Sequence, residues 1–393
     1  MRPLEGIRVL DLSRLAPGPF ATMVLADLGA EVLMVEAPAG ATSTLERPWA
    51  EADSVREDLF DPLRRNKQSI VLNLKEARGR EILHSLVKEA DVLVEGFRPG
   101  VIARLGCDYP TLSAVNPRII LCSVSGYGQD GPYANQVGHD INYISIGGML
   151  GMVGAADGTP SIPGNIVADF AGGGMHAAMA ILAAIIARST TGRGQHVDIA
   201  MSDGVLYLLA TWAKGVLAGG PSPRGGAHFL NGLLPHYNVY QTSDGGWISI
   251  GALEDKFWRN FCRVMEAEQW ADKPYAPDTL RDARPHFEAK FRTRTRDAWM
   301  AVLSREEICA APVLSLEEAV ADPHNLARGM VAEVAHPTHG VIRQVGVGPK
   351  FSDTPGEVRS LSPELGADTT ATLAALGMDG AEIAALRADG VIA

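Results

Sequence analysis

Apolar residues along this chain switch between a strand period and a helix period. Residues 7–12, Ile7-Arg8-Val9-Leu10-Asp11-Leu12, are a short apolar run of the kind that buries a strand; 20–28 place apolar residues at helical spacing; 31–36, Glu31-Val32-Leu33-Met34-Val35-Glu36, return to the strand pattern. Gly29 closes the helix, so the chain opens as a βαβ unit. Strand patterns recur at 69–74, 91–94, 119–124 and 195–201, with helical spacing over 77–89. Strands alternating with helices predict a parallel sheet in a doubly wound, Rossmann-like α/β domain. The most apolar helical stretch, 175–187, is interrupted by His176 and is shorter than the roughly 20 residues a bilayer span needs, so it is expected to be a buried crossover helix.

The pattern changes after about residue 217. Ala218-Gly219-Gly220-Pro221-Ser222-Pro223-Arg224-Gly225-Gly226 reads as a linker. Residues 237–242, a Ser243-Asp244-Gly245-Gly246 turn and 247–251 predict a hairpin, followed by a helix from 255 and helical patterns to about 303. Strand-like pieces near 313–314, 330–334 and 341–347 and a last helix over 381–388 complete the chain. The expected organisation is a large domain over 1–217, a linker over 218–226, a smaller α+β domain over 227–325 and a segment over 326–393 that returns to the large domain.

Composition removes several function classes. Asp and Glu exceed Lys and Arg by 46 to 35, a formal charge of −11, which argues against a nucleic-acid partner. Any anionic ligand needs a local basic cluster; Arg64, Arg65 and Lys67 form one candidate, Arg98 and Arg104 another. The first turn, Ser13-Arg14-Leu15-Ala16-Pro17-Gly18-Pro19, lacks Gly-x-Gly-x-x-Gly, so no NAD is expected even though Glu36 closes the second strand as a ribose-binding acid would. The four cysteines are widely separated, indicating neither a zinc site nor a disulfide framework and fitting a reducing cytosol. With no secretory design at the start, a cytoplasmic protein without a membrane partner is expected.

Candidate chemistry lies in Gly138-His139-Asp140-Ile141-Asn142-Tyr143 and in Val167-Ala168-Asp169-Phe170-Ala171-Gly172-Gly173-Gly174. An imidazole and a carboxylate have different intrinsic pKa values, so a site holding both offers two bases of unlike strength. Each residue also has a plainer reading. Asp169 fits an N-cap of the apolar helix, His139 a loop histidine, and Glu254 a first-turn acid that complements a helix dipole.

Together these residues resemble the family III CoA-transferases of the CaiB/BaiF superfamily, and within them most resemble the α-methylacyl-CoA racemases. The resemblance runs nearly the full length, through Leu4-Glu5-Gly6-Ile7-Arg8-Val9-Leu10-Asp11-Leu12-Ser13, Arg65-Asn66-Lys67, Glu95-Gly96-Phe97-Arg98-Pro99-Gly100-Val101 and Ser125-Gly126-Tyr127-Gly128-Gln129-Asp130-Gly131-Pro132. The racemase likeness rests on the His139 and Asp169 segments, His236-Tyr237-Asn238-Val239-Tyr240 and Gly251-Ala252-Leu253-Glu254. It implies an interlocked homodimer, each chain a large Rossmann-like domain with a smaller domain threaded through its twin. It implies His139 and Asp169 as catalytic bases and Glu254 as the group that hydrogen-bonds and tunes His139. It places contacts to the CoA moiety of the substrate at Arg65, Leu72, Leu93, Arg98 and Arg104, with Gly138, Asp140 and Tyr143 nearer the pantetheine and thioester. One departure stands out: racemases carry an arginine after the second strand, where this chain reads Val35-Glu36-Ala37-Pro38 before a longer segment to Arg64.

The activity so implied is racemisation or epimerisation of 2-methylacyl-CoA thioesters through an enolate, with neither a metal nor a redox cofactor. Two other readings stay open. Asp169 can instead attack the acyl-CoA to form a mixed anhydride, as in the transferases, or the chain can be a silent CoA-binding protein.

Overall fold

The computed structural model describes residues 1–38, 60–154 and 157–393. They form two compact units: Met1–Gly147, Gly164–Leu208 and Pro323–Ala393 make the first, Gly148–Pro163 and Leu209–Asp322 the second.

The first unit holds a six-stranded sheet of β1 (Arg8–Asp11), β2 (Glu31–Glu36), β3 (Lys67–Val71), β4 (Val92–Glu95), β5 (Ile120–Ser125) and β6 (His196–Ala200), in the order β3-β2-β1-β4-β5-β6. Every pairing is parallel. The central strands are apolar on both faces, as a sheet covered on both sides requires. Val92, Val94, Ile120 and Cys122 enter one core with α1 (Pro17–Asp27) and α5 (His176–Thr191), while Leu93 and Leu121 enter the opposite core with α2 (Ala77–Val87) and α3 (Tyr109–Val115). The last helices, α11 (Thr369–Ala375) and α12 (Gly380–Ala388), send Leu373, Ile383 and Leu386 into that second core.

Strand β3 starts two residues before the apolar pattern suggests. Lys67 and Ser69 are polar yet buried, so period alone passes over the strand's first half.

The crossover helix departs further from expectation. A π-helical segment, Ile166–Met175, runs directly into α5, giving a continuous helix Ile166–Thr191 of 26 residues with a mean hydropathy of 1.8 in its most apolar window. By length and composition alone it could cross a bilayer, which the shorter sequence pattern did not suggest. Burial covers one side only. Gly172, Gly173 and Gly174 are buried toward α1 and α6 (Met201–Leu208), whereas Met175, Met179 and Ile186 are exposed. A short helix α4 (Asp140–Ile146) packs on the same segment.

The second unit begins at Leu209, ahead of the glycine-rich linker, because α7 (Ala210–Leu217) belongs with it. It also takes in Gly148–Pro163, where Asn231 Nδ2 donates to Met152 O (3.2 Å). Its antiparallel sheet is β7 (Tyr237–Gln241), β8 (Trp247–Gly251) and β9 (Ala310–Pro312). Helices α8 (Asp255–Val264), α9 (Pro277–Phe291) and α10 (Arg296–Leu303) complete an aromatic core of Tyr240, Trp258, Phe261, Phe287, Phe291 and Trp299. The remaining hairpin, β10 (Val331–His336) with β11 (Gly340–Val345), lies in the first unit.

Candidate active site

The strand order reverses between β1 and β4, and a sheet of this kind leaves a crevice at the carboxyl ends of the strands there. The first unit has a cavity of about 1270 Å³ at that point. Its walls are the β1–α1 turn, Gly96-Phe97-Arg98-Pro99 after β4, Ser125-Gly126-Tyr127 after β5, and a last side made by Gly138, His139, Asn142, Tyr143, Asn165 and Asp169.

A buried polar cluster fixes the β1–α1 turn. Asp11 Oδ1 accepts from the Ser13 N–H (3.0 Å) and the Ser13 hydroxyl, and Oδ2 from the Thr22 hydroxyl and Lys67 Nζ (3.1 Å). Lys67 Nζ also donates to Thr22 Oγ1 (2.6 Å) and Pro19 O (3.1 Å), so its three protons are all used. Burial pulls the Lys67 pKa down and Asp11 opposes the shift. Lys67 is therefore an internal strut of the cavity wall.

His139 occupies the N-cap position of α4, where its N–H donates to Asn142 Oδ1 (3.0 Å). Its ring is on an exposed residue at the cavity rim. Tyr143, one turn on, is buried, donates its hydroxyl to Gly138 O and has its phenol pushed up to about 12 by burial. A Cβ at Gly126 would meet the Tyr143 ring at 2.3 Å and one at Gly138 at 2.8 Å, so both glycines are needed to seat it.

Asp169 is not the N-cap that its pattern favours. The helix begins at Ile166 with Asn165 in the cap position, which puts Asp169 inside the first π-helical turn. Asn165 Nδ2 donates to Asp169 Oδ2 (3.0 Å). Burial pushes the Asp169 carboxyl above the ordinary carboxylate range; Asn165 pulls it back, the Asp140 charge pushes it up and His139 pulls it down. The two candidate bases thus share one cavity, and the His139 side chain bears on the Asp169 carboxyl electrostatically.

Residues 4–369 match the profile of CoA-transferase family III. The chain belongs to this family. Among curated relatives, it is 37% identical to the human alpha-methylacyl-CoA racemase over 83% of this chain and 81% of that one. It is also 33% identical to the mouse succinyl-CoA:glutarate CoA-transferase over 100% of this chain and 90% of that one. Among solved structures, a CaiB/BaiF family protein from Brucella suis superposes with a TM-score of 0.80 at 32% identity, covering 95% of this chain and 99% of that one.

Not every residue that the family likeness offers as a ligand faces the cavity. Arg98 lines it, as do Gly138 and Tyr143. Arg65 does not: its guanidinium is 2% exposed and binds Asp27 through Nε–Oδ1 (3.0 Å) and Nη2–Oδ2 (2.6 Å), and it donates to Val345 O as well. That expectation is corrected for the side chain, because the guanidinium is buried in its ion pair with Asp27 and is not on the cavity wall. Leu72 and Leu93 are core residues, 1% and 0% exposed, and their side chains pack under α2 and α3. Arg104 is exposed at the end of the short helix Val101–Arg104. Asp140 is buried, and its carboxylate serves the fold, accepting from the N–H groups of Ala168 and Asp169. Glu254 stands in the second unit at the N-cap of α8 and makes no side-chain cap bond, so the plain helix-start reading accounts for its position but not for its side chain.

Sequence reasoning missed Arg14 and Glu95, and named Arg64 only as part of a basic cluster. Arg14 is exposed on the cavity wall and feels the charge of Glu36. Arg64 lines the same wall and holds Glu36 in a bidentate pair (2.7 and 3.1 Å), so Glu36 is engaged at the place where a Rossmann acid would meet a ribose. Glu95, the buried last residue of β4, accepts from the Phe97 N–H (2.7 Å) and shapes the loop that carries Arg98; burial pushes its carboxyl up to about 6. A carboxylate ending a strand at a switch point is the signal that could have marked it. Part of the longer segment between Glu36 and Arg64, residues 39–59, lies outside the described residues.

Proposed function

We propose that this family member racemises or epimerises 2-methylacyl-CoA thioesters by removing and returning the α-proton. One observation carries the reading: a single cavity is lined by an imidazole and by a carboxylate whose proton affinity is raised, His139 and Asp169. The proton α to a thioester is weakly acidic, and its loss places negative charge on the carbonyl oxygen. Removal needs a positioned base and donors for that oxygen. The N–H groups at the start of α4, beginning with Asp140, are the donors a helix N-terminus provides. In one direction His139 takes the proton and Asp169 returns one; in the other the roles exchange. Arg14 and Arg98 supply positive charge on the wall for the phosphates of CoA, while the charge of Arg64 is met by Glu36.

In this proposal the working form is an interlocked cytoplasmic homodimer, in which Glu254 hydrogen-bonds His139, fixes its tautomer and stabilises the imidazolium. The human and mouse racemase relatives support the reading. The transferase relative supports a second one, in which Asp169 attacks the thioester carbonyl and the C–S bond breaks to leave a mixed anhydride and CoA thiolate. The thiolate then attacks the aspartyl carbonyl and expels the donor acid, and the acceptor carboxylate displaces CoA through a second anhydride that the thiolate opens to the new thioester and free Asp169.

Incubation with a chiral 2-methylacyl-CoA in deuterated water, without an acceptor acid, separates the two. Deuterium at the α-carbon with loss of optical purity is expected. Turnover only after a dicarboxylate is added, with no α-deuterium, would establish the transferase.

A further inference from the structure

Asp140 is placed to act on both bases. Its residue is 5% exposed, and Oδ2 accepts from two successive amides, Ala168 N–H (2.8 Å) and Asp169 N–H (2.9 Å). Those amides belong to the first turn of a helical segment, where N–H groups have no partner within the helix. Asn165 holds the cap position but makes no cap bond, since its side chain serves Asp169 instead. The segment is therefore capped from outside, by the residue that directly follows His139. The other carboxylate oxygen, Oδ1, is buried without a hydrogen-bond partner among the described residues, an arrangement that costs free energy and calls for a reason.

We propose that the Asp140 side chain is a positioning residue for both bases, locking the backbone of Asp169 onto the helix start that presents His139. This rests on the reading of those two residues as the proton-transfer pair. The tie makes the separation of the bases a property of two hydrogen bonds and not of loop packing. The unneutralised charge has a second effect, since Asp140 raises the proton affinity of Asp169 while His139 lowers it. Tyr143 of α4 also interacts with the Asp169 charge. The other elements packed on the segment bring Asp27 of α1, His176 of α5, Asp203 of α6 and Asp198 of β6; the charges that act on the Asp169 carboxyl are Asp140 and His139.

Two variants of the full chain separate the mechanical part from the electrostatic part. Asp140→Asn keeps an oxygen that can accept from both amides but removes the charge; Asp140→Ala removes both. The first readout is the titration of the Asp169 carboxyl by carbon-13 NMR of aspartate-labelled protein, with the resonance identified by its loss in Asp169→Asn. It needs no substrate, so it decides the proposal even if the wild type exchanges no α-proton and the enolate reading fails. The second readout is the pH profile of α-deuterium incorporation.

In Asp140→Asn the Asp169 midpoint is expected to fall, the matching limb of the pH profile to fall with it, and exchange to stay within about tenfold of wild type. In Asp140→Ala exchange is expected to drop about 100-fold or more, the cost of misplacing a reacting group by about an ångström, with KM changed only a few-fold. An unmoved Asp169 midpoint in Asp140→Asn, or full exchange in Asp140→Ala, overturns the proposal. If the alanine variant does not fold, the asparagine titration decides alone.

Discussion

Asp169 and His236 show how burial sets the behaviour of single titratable residues in opposite senses. The folded state raises the pKa of Asp169, so it favours the neutral carboxyl, and ionisation at neutral pH works against stability. Asp169→Asn is therefore expected to lower α-proton exchange at least about 1000-fold, as loss of an acid–base group and its positioning does, while the melting temperature at pH 7 holds or rises. Exchange kinetics beside calorimetry test this; a variant that is both inactive and strongly destabilised would make Asp169 a structural residue of the helix's first turn. His236 runs the other way. It is 0% exposed, neither ring nitrogen has a hydrogen-bond partner among the described residues, and its ring lies 4.7 Å from that of Trp258. Burial pulls its pKa from 6.5 to about 4. Between those values the unfolded chain binds the proton and the folded one does not, so stability falls as pH drops from about 6.5 towards 4. The full effect is on the order of 3 kcal/mol, at about 1.4 kcal/mol per pKa unit. Urea midpoints at pH 7.5 and 5.0 should show a slope that His236→Phe flattens; an equal slope in both proteins would assign the acid sensitivity elsewhere.

Elements are held together here by contacts that sequence patterns describe unevenly. A Cβ on Gly204 of α6 would lie 2.1 Å from Gly172 O in the π-helical segment, a clash with backbone that no rotamer relieves. Helix propensity favours alanine over glycine by about 1 kcal/mol, but overpacking costs about 1–3 kcal/mol and displaces the segment that carries Asp169. Gly204→Ala should thus lose stability and exchange together; a variant with both intact would show that the two helices can part freely. Arg65 offers a sharper case. It was read as a ligand from the family resemblance and from its place in a basic cluster, yet with Asp27 it forms a pair whose side chains are 2% and 4% exposed. Beside it, Asn66 donates to Asp27 Oδ1 (2.8 Å) and Glu357 O (2.8 Å) and accepts from the N–H groups of Arg359 and Ser360, so Arg65 and Asn66 pin the returning C-terminal segment. Arg65→Ala should cost about 3–5 kcal/mol, because Asp27 stays buried without its partner, and CoA affinity of the folded fraction should hold. Denaturant unfolding and calorimetric titration with CoA check both halves. The apolar strands were legible because their period is written in the residues. Buried cations such as Lys67 were not, since charge normally signals surface, and neither was the π-helical turn, which uses the same apolar residues as an α-helix at a different pitch.

Oligomeric state is where the whole molecule bears on the chemistry. Ile141 and Ile146 of α4, Ile166, Met175 and Met179 of the long helix, and Leu206 and Tyr207 of α6 are all exposed, and these elements pack on one another beside the cavity. Apolar exposure of this extent next to a site marks a surface that something covers. In the proposed homodimer a second copy would cover it and would bring a Glu254 to His139. The proposal makes activity depend on association. Met179 is 55% exposed, so Met179→Glu should change the stability of a single chain by no more than about 0.5 kcal/mol, yet it places a charge where a twin would bury it. Light scattering should find the wild type dimeric and the variant largely monomeric, with α-deuterium exchange lost in proportion to the monomer and regained as concentration drives association. Glu254→Gln in the dimer should lower exchange while leaving the mass unchanged, because the amide can still meet the imidazole but cannot stabilise its charge. A wild type that exchanges fully as a monomer would remove both the interlocked form and the role of Glu254, and leave His139 and Asp169 to work within one chain.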